Sequence, residues 1–208
     1  MNINKSLYLT TPPITAGIIV TGPDNQSGKS TFVETASECV RISIETAHFY
    51  NVAEHAENID PGFIFPLERL GRITINNAFA LFLIEWPGGR LIPQSPLFDH
   101  TDALMIGGVI LLDSAKPETF RATQRIIQTF HGPRYYNHDY VIAAGNQDSP
   151  DAWSLEDLRV ALQLEDIQRL VPCAASDRES VKQVLLALLD RMPIGEFITQ
   201  AMAKIRGM

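Results

Sequence analysis

The chain has 208 residues, of which 45% are hydrophobic and 20% charged, and its formal net charge is −7. This length predicts one domain spanning residues 1–208, and the acidic balance argues against a nucleic-acid binder. Two cysteines, Cys39 and Cys173, are too few for a disulfide scaffold. The amino terminus lacks a signal-peptide pattern, and the longest apolar run, 103–112, is far below the roughly 20 residues of a membrane helix. The sequence therefore predicts a soluble cytoplasmic protein without integral membrane contact.

The first half of the chain alternates short apolar runs with less regular stretches. The first run is rich in β-branched residues, which favours a strand, and Asn76-Asn77 between two apolar runs is typical of an antiparallel hairpin. The predicted elements are a strand at 14–22, a helix from Gly28 to Val40, a long loop from Ser43 to Phe63, and strands at 71–76 and 79–86.

The second half alternates buried strands with amphipathic helices, an order typical of a mostly parallel sheet. Ser154 followed by Asp157 is typical of a helix capping box. The predicted strands lie at 103–113, 139–148 and 169–175, the predicted helices at 117–130, 154–164 and 177–192, and a helical tail at 194–208. The fold class is therefore α/β, a three-layer sandwich with a six-stranded, mixed and mostly parallel sheet between helices.

The segment TGPDNQSGKST, Thr21 to Thr31, joins the first strand to the first helix and is typical of a phosphate-binding loop. Lys29 is expected to reach the β- and γ-phosphates and Ser30 to bind Mg²⁺. Five residues rather than four separate Gly22 from Gly28, so either the loop is one residue longer or Pro23 takes the place of the first glycine. Asp24 should weaken phosphate binding if it points inward. The predicted nucleotide-binding residues here are Asn25, Gln26, Ser27, Gly28, Lys29, Ser30 and Thr31.

Three later segments, LLDSAKPETF, AAGNQDSPDAWSLEDLRVAL and VPCAASDRESVKQVLLALL, follow this loop in a familiar order. With it they resemble the small Ras-like P-loop GTPases, most closely the bacterial gliding-motility type related to the ARF-like proteins. The resemblance spans residues 14–192. It implies a GTPase fold, GTP or GDP and Mg²⁺ as ligands, and nucleotide binding at the carboxyl ends of the strands.

The resemblance also assigns roles to EWPGG, residues 85–89. Glu85 matches the family's carboxylate on the Mg²⁺ side, and Gly88 matches the glycine whose amide senses the γ-phosphate. Gly89 stands where the family has the glutamine that orients water, and Asn25 stands where catalytic members favour glycine. These two differences imply slow hydrolysis and leave no catalytic residue to assign.

Base recognition in the family uses Asn-Lys-x-Asp, which matches Gly145, Asn146, Gln147 and Asp148 here. The Asp148 carboxylate is expected to accept two hydrogen bonds from guanine and to disfavour adenine. A second loop, Cys173, Ala174 and Ala175, matches the family loop that contacts the guanine oxygen. A buried thiol at a strand end is the alternative interpretation of Cys173.

Three functions remain open from the sequence. The first is a GTP-binding switch with slow or partner-dependent hydrolysis, for which the resemblance implies a roadblock-type or other activating protein partner. The second is a pseudo-GTPase interaction module, because the switch I region, 62–70, lacks the family's threonine. The third is a P-loop kinase or ATPase, which requires ATP to bind better than GTP.

Overall fold

The computed structural model describes residues 14–44, 67–77, 79–86, 105–131, 139–192 and 195–208. Within these residues the strands are β1 Ile14–Thr21, β2 Cys39–Ile44, β3 Leu67–Thr74, β4 Phe79–Glu85, β5 Met105–Asp113, β6 Asp139–Gly145 and β7 Leu170–Pro172. The helices are α1 Lys29–Ala36, α2 Phe120–Phe130, α3 Leu155–Ala161, α4 Arg178–Leu189 and α5 Glu196–Arg206.

The strands form one sheet in the order β2-β3-β4-β1-β5-β6-β7. Strand β1 pairs in parallel with β4 on one side and β5 on the other, and β6 and β7 continue the parallel part. The hairpin of β3 and β4 is antiparallel, as Asn76-Asn77 predicted, and the Asn76 side-chain oxygen accepts from the Phe79 N–H at 3.0 Å. The predicted α/β class with a mixed, mostly parallel sheet is confirmed.

A seventh strand, β2, which was not predicted, lies at the edge of the sheet. The predicted helix from Gly28 to Val40 is therefore wrong over its last turn. Helix α1 ends at Ala36, and the extended backbone of Ser37 turns the chain into the sheet. The Glu38 N–H donates to the Arg72 carbonyl at 2.9 Å, and β2 then runs antiparallel to β3. Pairing with residues 23 to 33 positions further along the chain therefore overrides the local helical pattern.

Helices cover both faces of the sheet, which gives the three-layer arrangement. On one face, α1, α4 and α5 bury a cluster that includes Phe32, Leu185 and Ile205. On the other face, α2 and α3 pack over a second cluster. The apolar side of α2 is buried there; its residues are Phe120, Ile126, Ile127 and Phe130.

Helix α5 packs with its apolar side on the first of these two clusters, the one that includes Phe32 and Leu185. Ile198, Ala201 and Ile205 are buried, and the Lys204 ammonium lies 3.3 Å from the Glu38 carboxylate at the start of β2. Gln200 also accepts a hydrogen bond from Asn76 of the β3–β4 turn. In the part of the chain that the structure describes, no helix has the length and apolarity needed to cross a membrane.

We expect Ile205→Ala to lower the free energy of unfolding by about 2–4 kcal/mol, because it leaves a cavity beneath α5. Ile205 is 0% exposed. The control Val160→Ala, at a side chain that is 63% exposed, should change the free energy by less than about 0.5 kcal/mol. Urea unfolding of both variants measures the difference. Equal midpoints would mean that α5 contributes nothing to the core.

Candidate functional site

The parallel strands all end on the same side of the sheet, which we call the carboxyl end of the sheet. Val20 of β1 lies opposite Glu85 of β4, and Asp113 of β5 lies opposite Gly145 of β6. The loop after β7 joins this side because β7 pairs in parallel with β6. The predicted phosphate, metal and base segments are thus brought together along one side, where ligands bind in open α/β sheets.

The loop from β1 to α1 depends on two glycines. A side chain on Gly22 would place its Cβ 2.3 Å from the Ser27 Oγ and 2.8 Å from the Leu111 carbonyl oxygen. Gly28 has a φ of 86°, in the left-handed region that favours glycine. Gly22 is therefore a position of close backbone approach at the end of β1, and Gly28 makes the turn into α1.

Lys29 begins α1 with a buried side chain, which is 2% exposed. Its Nζ donates to the Asp24 carbonyl oxygen at 2.6 Å, and the Ser27 hydroxyl donates to the same oxygen at 3.2 Å. The ammonium group is thus held against the inside of the loop. A buried ammonium next to a loop of backbone N–H groups is an arrangement suited to an anion.

The Asp24 carboxylate lies on the loop itself. Its Oδ1 accepts from the Gln26 N–H at 2.9 Å, which is one of the backbone donors predicted to bind phosphate. Asn25, Gln26 and Thr31 are exposed, whereas Ser27, Gly28 and Ser30 are partly buried. The Asp24 carboxylate therefore occupies the Gln26 N–H, one of the donors that a bound phosphate would use.

Ser30 and Glu85, the two predicted metal-side residues, are in contact. The Ser30 hydroxyl donates to the Glu85 Oε1 at 2.7 Å, and the Glu85 side chain is 1% exposed. A hydroxyl and a carboxylate are oxygen ligands of the kind Mg²⁺ prefers, with its other ligands from phosphate and water. These residues therefore fit Mg²⁺ as a partner of a bound phosphate. Among the described residues, no group of three His, Cys, Asp or Glu side chains forms a metal site by itself.

Arg69, which no motif in the sequence indicates, adds a positive charge next to Glu85. Its Nη1 lies 3.3 Å from the Glu85 Oε2, and its Nε lies 3.0 Å from the Glu34 carboxylate of α1. The register of β3 on β4 sets this contact, since Leu70 lies opposite Ile84 and Arg69 is the next residue along. Only the pairing register reveals it, because the sequence separates Arg69 from Glu85 by 16 positions.

The loop after β6 carries the predicted base-binding residues. Asn146 has a φ of 56°, and Gln147 donates to the Ser114 hydroxyl at 2.6 Å and to the Trp153 carbonyl at 3.2 Å. Burial opposes ionisation of Asp113, but hydrogen bonds from Asn146 and the Ala115 N–H outweigh it and hold the pKa of Asp113 below its ordinary value. Asn146 and Gln147 thus anchor the loop inward, and the Asp148 side chain is exposed.

The loop after β7 lies against the β1–α1 loop. A Cβ on Gly28 would be 3.4 Å from the Cβ of Ala175. The Cys173 N–H donates to the Ala144 carbonyl and the Ala174 N–H to the Ser180 hydroxyl, both at 2.9 Å. Burial raises the pKa of the Cys173 thiol to about 11. The side chain therefore fits the interpretation of a buried thiol at a strand end.

Trp86 follows Glu85 and is buried in the same cluster as Ile19 and Ile110. Gly88, predicted to contact the γ-phosphate, and Gly89 lie outside the described residues. No protein-family model matches the chain, and no curated protein is significantly similar to it. The resemblance to the small GTPases therefore stays a prediction.

At pH 8, only about one thousandth of the native Cys173 side chains are in the reactive thiolate form. We therefore expect native Cys173 to react with iodoacetamide about a hundredfold more slowly than Cys173 in the unfolded chain. Its rate should keep rising through pH 10, since the pKa is about 11. A Cys39→Ser variant isolates the thiol, mass spectrometry follows the alkylation, and the variant in urea is the control. Native and unfolded rates that level off at the same pH would contradict the raised pKa.

Proposed function

We propose that this chain binds a guanine nucleotide with Mg²⁺ at the carboxyl end of the sheet. In this proposal it is a switch protein of the small GTPase type with slow or partner-dependent GTP hydrolysis. The observation that carries the proposal is the buried Lys29 ammonium at the start of α1, one residue before a serine bonded to a buried carboxylate.

Electrostatics supports phosphate as the ligand at Lys29. The Nζ bond to Asp24 is to a neutral carbonyl oxygen. A phosphate oxygen would exchange that bond for one between opposite charges, and charge-assisted bonds are roughly twice as strong. The N-terminus of α1 adds its partial positive charge on the same side of the loop.

The loop after β6, which carries the predicted base-binding residues, supports guanine as the base of the nucleotide. Asp148 is the exposed carboxylate of a loop whose two preceding residues are anchored to Asp113 and Ser114. A carboxylate at this position can accept two hydrogen bonds from the guanine N–H groups, whereas adenine presents an acceptor there. Gly145 stands in place of the family's asparagine, so the expected affinity is lower by about 1–3 kcal/mol for one missing hydrogen bond.

The hydrolysis expected of this site is slow. The resemblance leaves Gly89 where a glutamine would orient the attacking water, and glycine has no side chain for that role. An activating partner of the roadblock type, or another that supplies an arginine, would have to stabilise the charge that develops on the γ-phosphate.

A pseudo-GTPase interaction module is the second candidate, and one observation favours it. The polar groups of the β1–α1 loop already have hydrogen-bond partners within the protein. The Asp24 carboxylate accepts from the Gln26 N–H, and the Asp24 carbonyl accepts from the Lys29 ammonium. The Glu85 carboxylate of β4 accepts from the Ser30 hydroxyl. A loop with these contacts needs no ligand to be stable. Binding measurements distinguish the two candidates.

We expect Lys29→Met to weaken GTP and GDP binding at least about tenfold, because it removes one charge-assisted bond and keeps most of the buried volume. The matched control is Lys204→Met, which removes a half-exposed lysine on α5. Calorimetric titration of nucleotide-stripped protein with GTP, GDP and ATP, each with Mg²⁺, gives the affinities.

Asp148→Asn should weaken GTP binding at least about tenfold and leave ATP binding unchanged in the same titration, because only guanine uses that carboxylate.

Each outcome of this titration decides between functions. Guanine-selective binding that Lys29→Met weakens and Lys204→Met does not is the expected result. No binding by the unmodified protein up to millimolar nucleotide would leave the pseudo-GTPase as the function. Tighter binding of ATP than of GTP would favour a kinase or ATPase.

We expect Asp24→Asn to strengthen nucleotide binding about threefold to tenfold, because it removes a negative charge that competes for the Gln26 N–H. Asp190→Asn, at the exposed end of α4, is the control for loss of one negative charge elsewhere. The same calorimetric titration compares the two variants. Equal or weaker binding by Asp24→Asn would show that its carboxylate does not oppose the ligand.

A further inference from the structure

A fixed positive charge already stands beside the carboxylate on the metal side. The Glu85 Oε1 accepts from Ser30 at 2.7 Å, and the Oε2 accepts from the Arg69 Nη1 at 3.3 Å. Both oxygens of this buried carboxylate therefore have partners within the protein. The Arg69 guanidinium is itself held on its other side by the Glu34 carboxylate at 3.0 Å.

We propose that Arg69 is a built-in counter-charge of Glu85 that reduces the dependence of nucleotide binding on Mg²⁺. The proposal rests on the proposed function, since it concerns the nucleotide bound at Lys29 and Ser30. It assigns to Arg69 a positioning and electrostatic role in binding.

The physical reason lies in the charges that meet at this point. Without a cation, the Glu85 carboxylate repels the phosphates of a nucleotide bound next to Ser30, and the low dielectric of a buried site strengthens that repulsion. A metal ion normally offsets it, which couples metal and nucleotide binding. Because Arg69 offsets part of the same charge permanently, less is left for the metal to offset, and the coupling falls.

Two features of the contact suit this role. Arg69 is partly buried, with a side chain that is 25% exposed, so water screens its charge less than that of a surface arginine. The strand pairing of β3 with β4 fixes its backbone relative to Glu85, and the Glu34 carboxylate, 3.0 Å from the Arg69 Nε, forms an ion pair with its head group. The positive charge is therefore held at Glu85 whether or not a metal is present.

The test measures the dissociation constant of GDP, which avoids hydrolysis, in excess Mg²⁺ and in EDTA. The unmodified protein should bind GDP less than about tenfold more weakly in EDTA than in Mg²⁺. In Arg69→Gln that ratio should rise by about tenfold, mainly through weaker binding in EDTA. Arg69→Lys keeps the charge and should return the ratio to near the original value. Arg159→Gln, which breaks an exposed ion pair with Glu156 on α3, is the control and should leave the ratio unchanged.

The outcomes separate this inference from the proposed function. Binding by the unmodified protein with a ratio that Arg69→Gln leaves unchanged would overturn the role of Arg69 alone. A ratio above about a hundredfold in the unmodified protein would also overturn it. If Arg69→Gln proves unfolded in a urea titration, the EDTA-to-Mg²⁺ ratio of the unmodified protein and that of Arg69→Lys decide the question. No GDP binding in either buffer would overturn the proposed function and this inference with it.

Discussion

A glutamate carboxylate that is 1% exposed must have its charge met by the fold, and this requirement ties together the parts of the site. Glu85 ends β4, Ser30 lies in the first turn of α1, and Arg69 comes from β3, with Glu34 behind it on α1. Removal of one partner from such a group leaves a buried charge uncompensated, which costs more than the contact itself contributes. The relative placement of α1 and the β3–β4 hairpin is therefore set by charge as well as by apolar packing.

Lys29 is also a buried charged group, and the β1–α1 loop provides a hydrogen-bond partner for it from its own residues. Lys29 is held by the Asp24 carbonyl, and the Gln26 N–H by the Asp24 carboxylate. A ligand that binds here replaces these contacts, so its affinity is the difference between two sets of interactions. For the proposed nucleotide, this exchange predicts a modest affinity even where every ligand contact is good.

Local patterns in the sequence predicted the elements whose signals are local. The β-branched run of β1, the Asn76-Asn77 turn and the Ser154 cap, which accepts from the Asp157 N–H at 3.1 Å, all act within a few residues. Strand β2 could not be found in this way, because it forms by pairing with β3, which lies at least 23 positions further along the chain. The Arg69–Glu85 contact could not be found either, because it depends on the exact register within the β3–β4 hairpin. For the same reason the sequence placed Ser30 and Glu85 in one site only through a family resemblance, whereas parallel pairing of β1 with β4 places them there physically.

The two halves of the candidate site differ in how they are stabilised. On the phosphate side the groups that would contact a ligand also hold the loop and α1 in place. On the base side, Asp113 and Ser114 anchor Asn146 and Gln147, so that exposed Asp148 has no part in that anchoring. In the proposed function, Asp148 would therefore serve base recognition alone, and a substitution there would change the preferred base without loss of stability. Changes at Lys29, Ser30 or Glu85 must instead satisfy both the fold and the ligand.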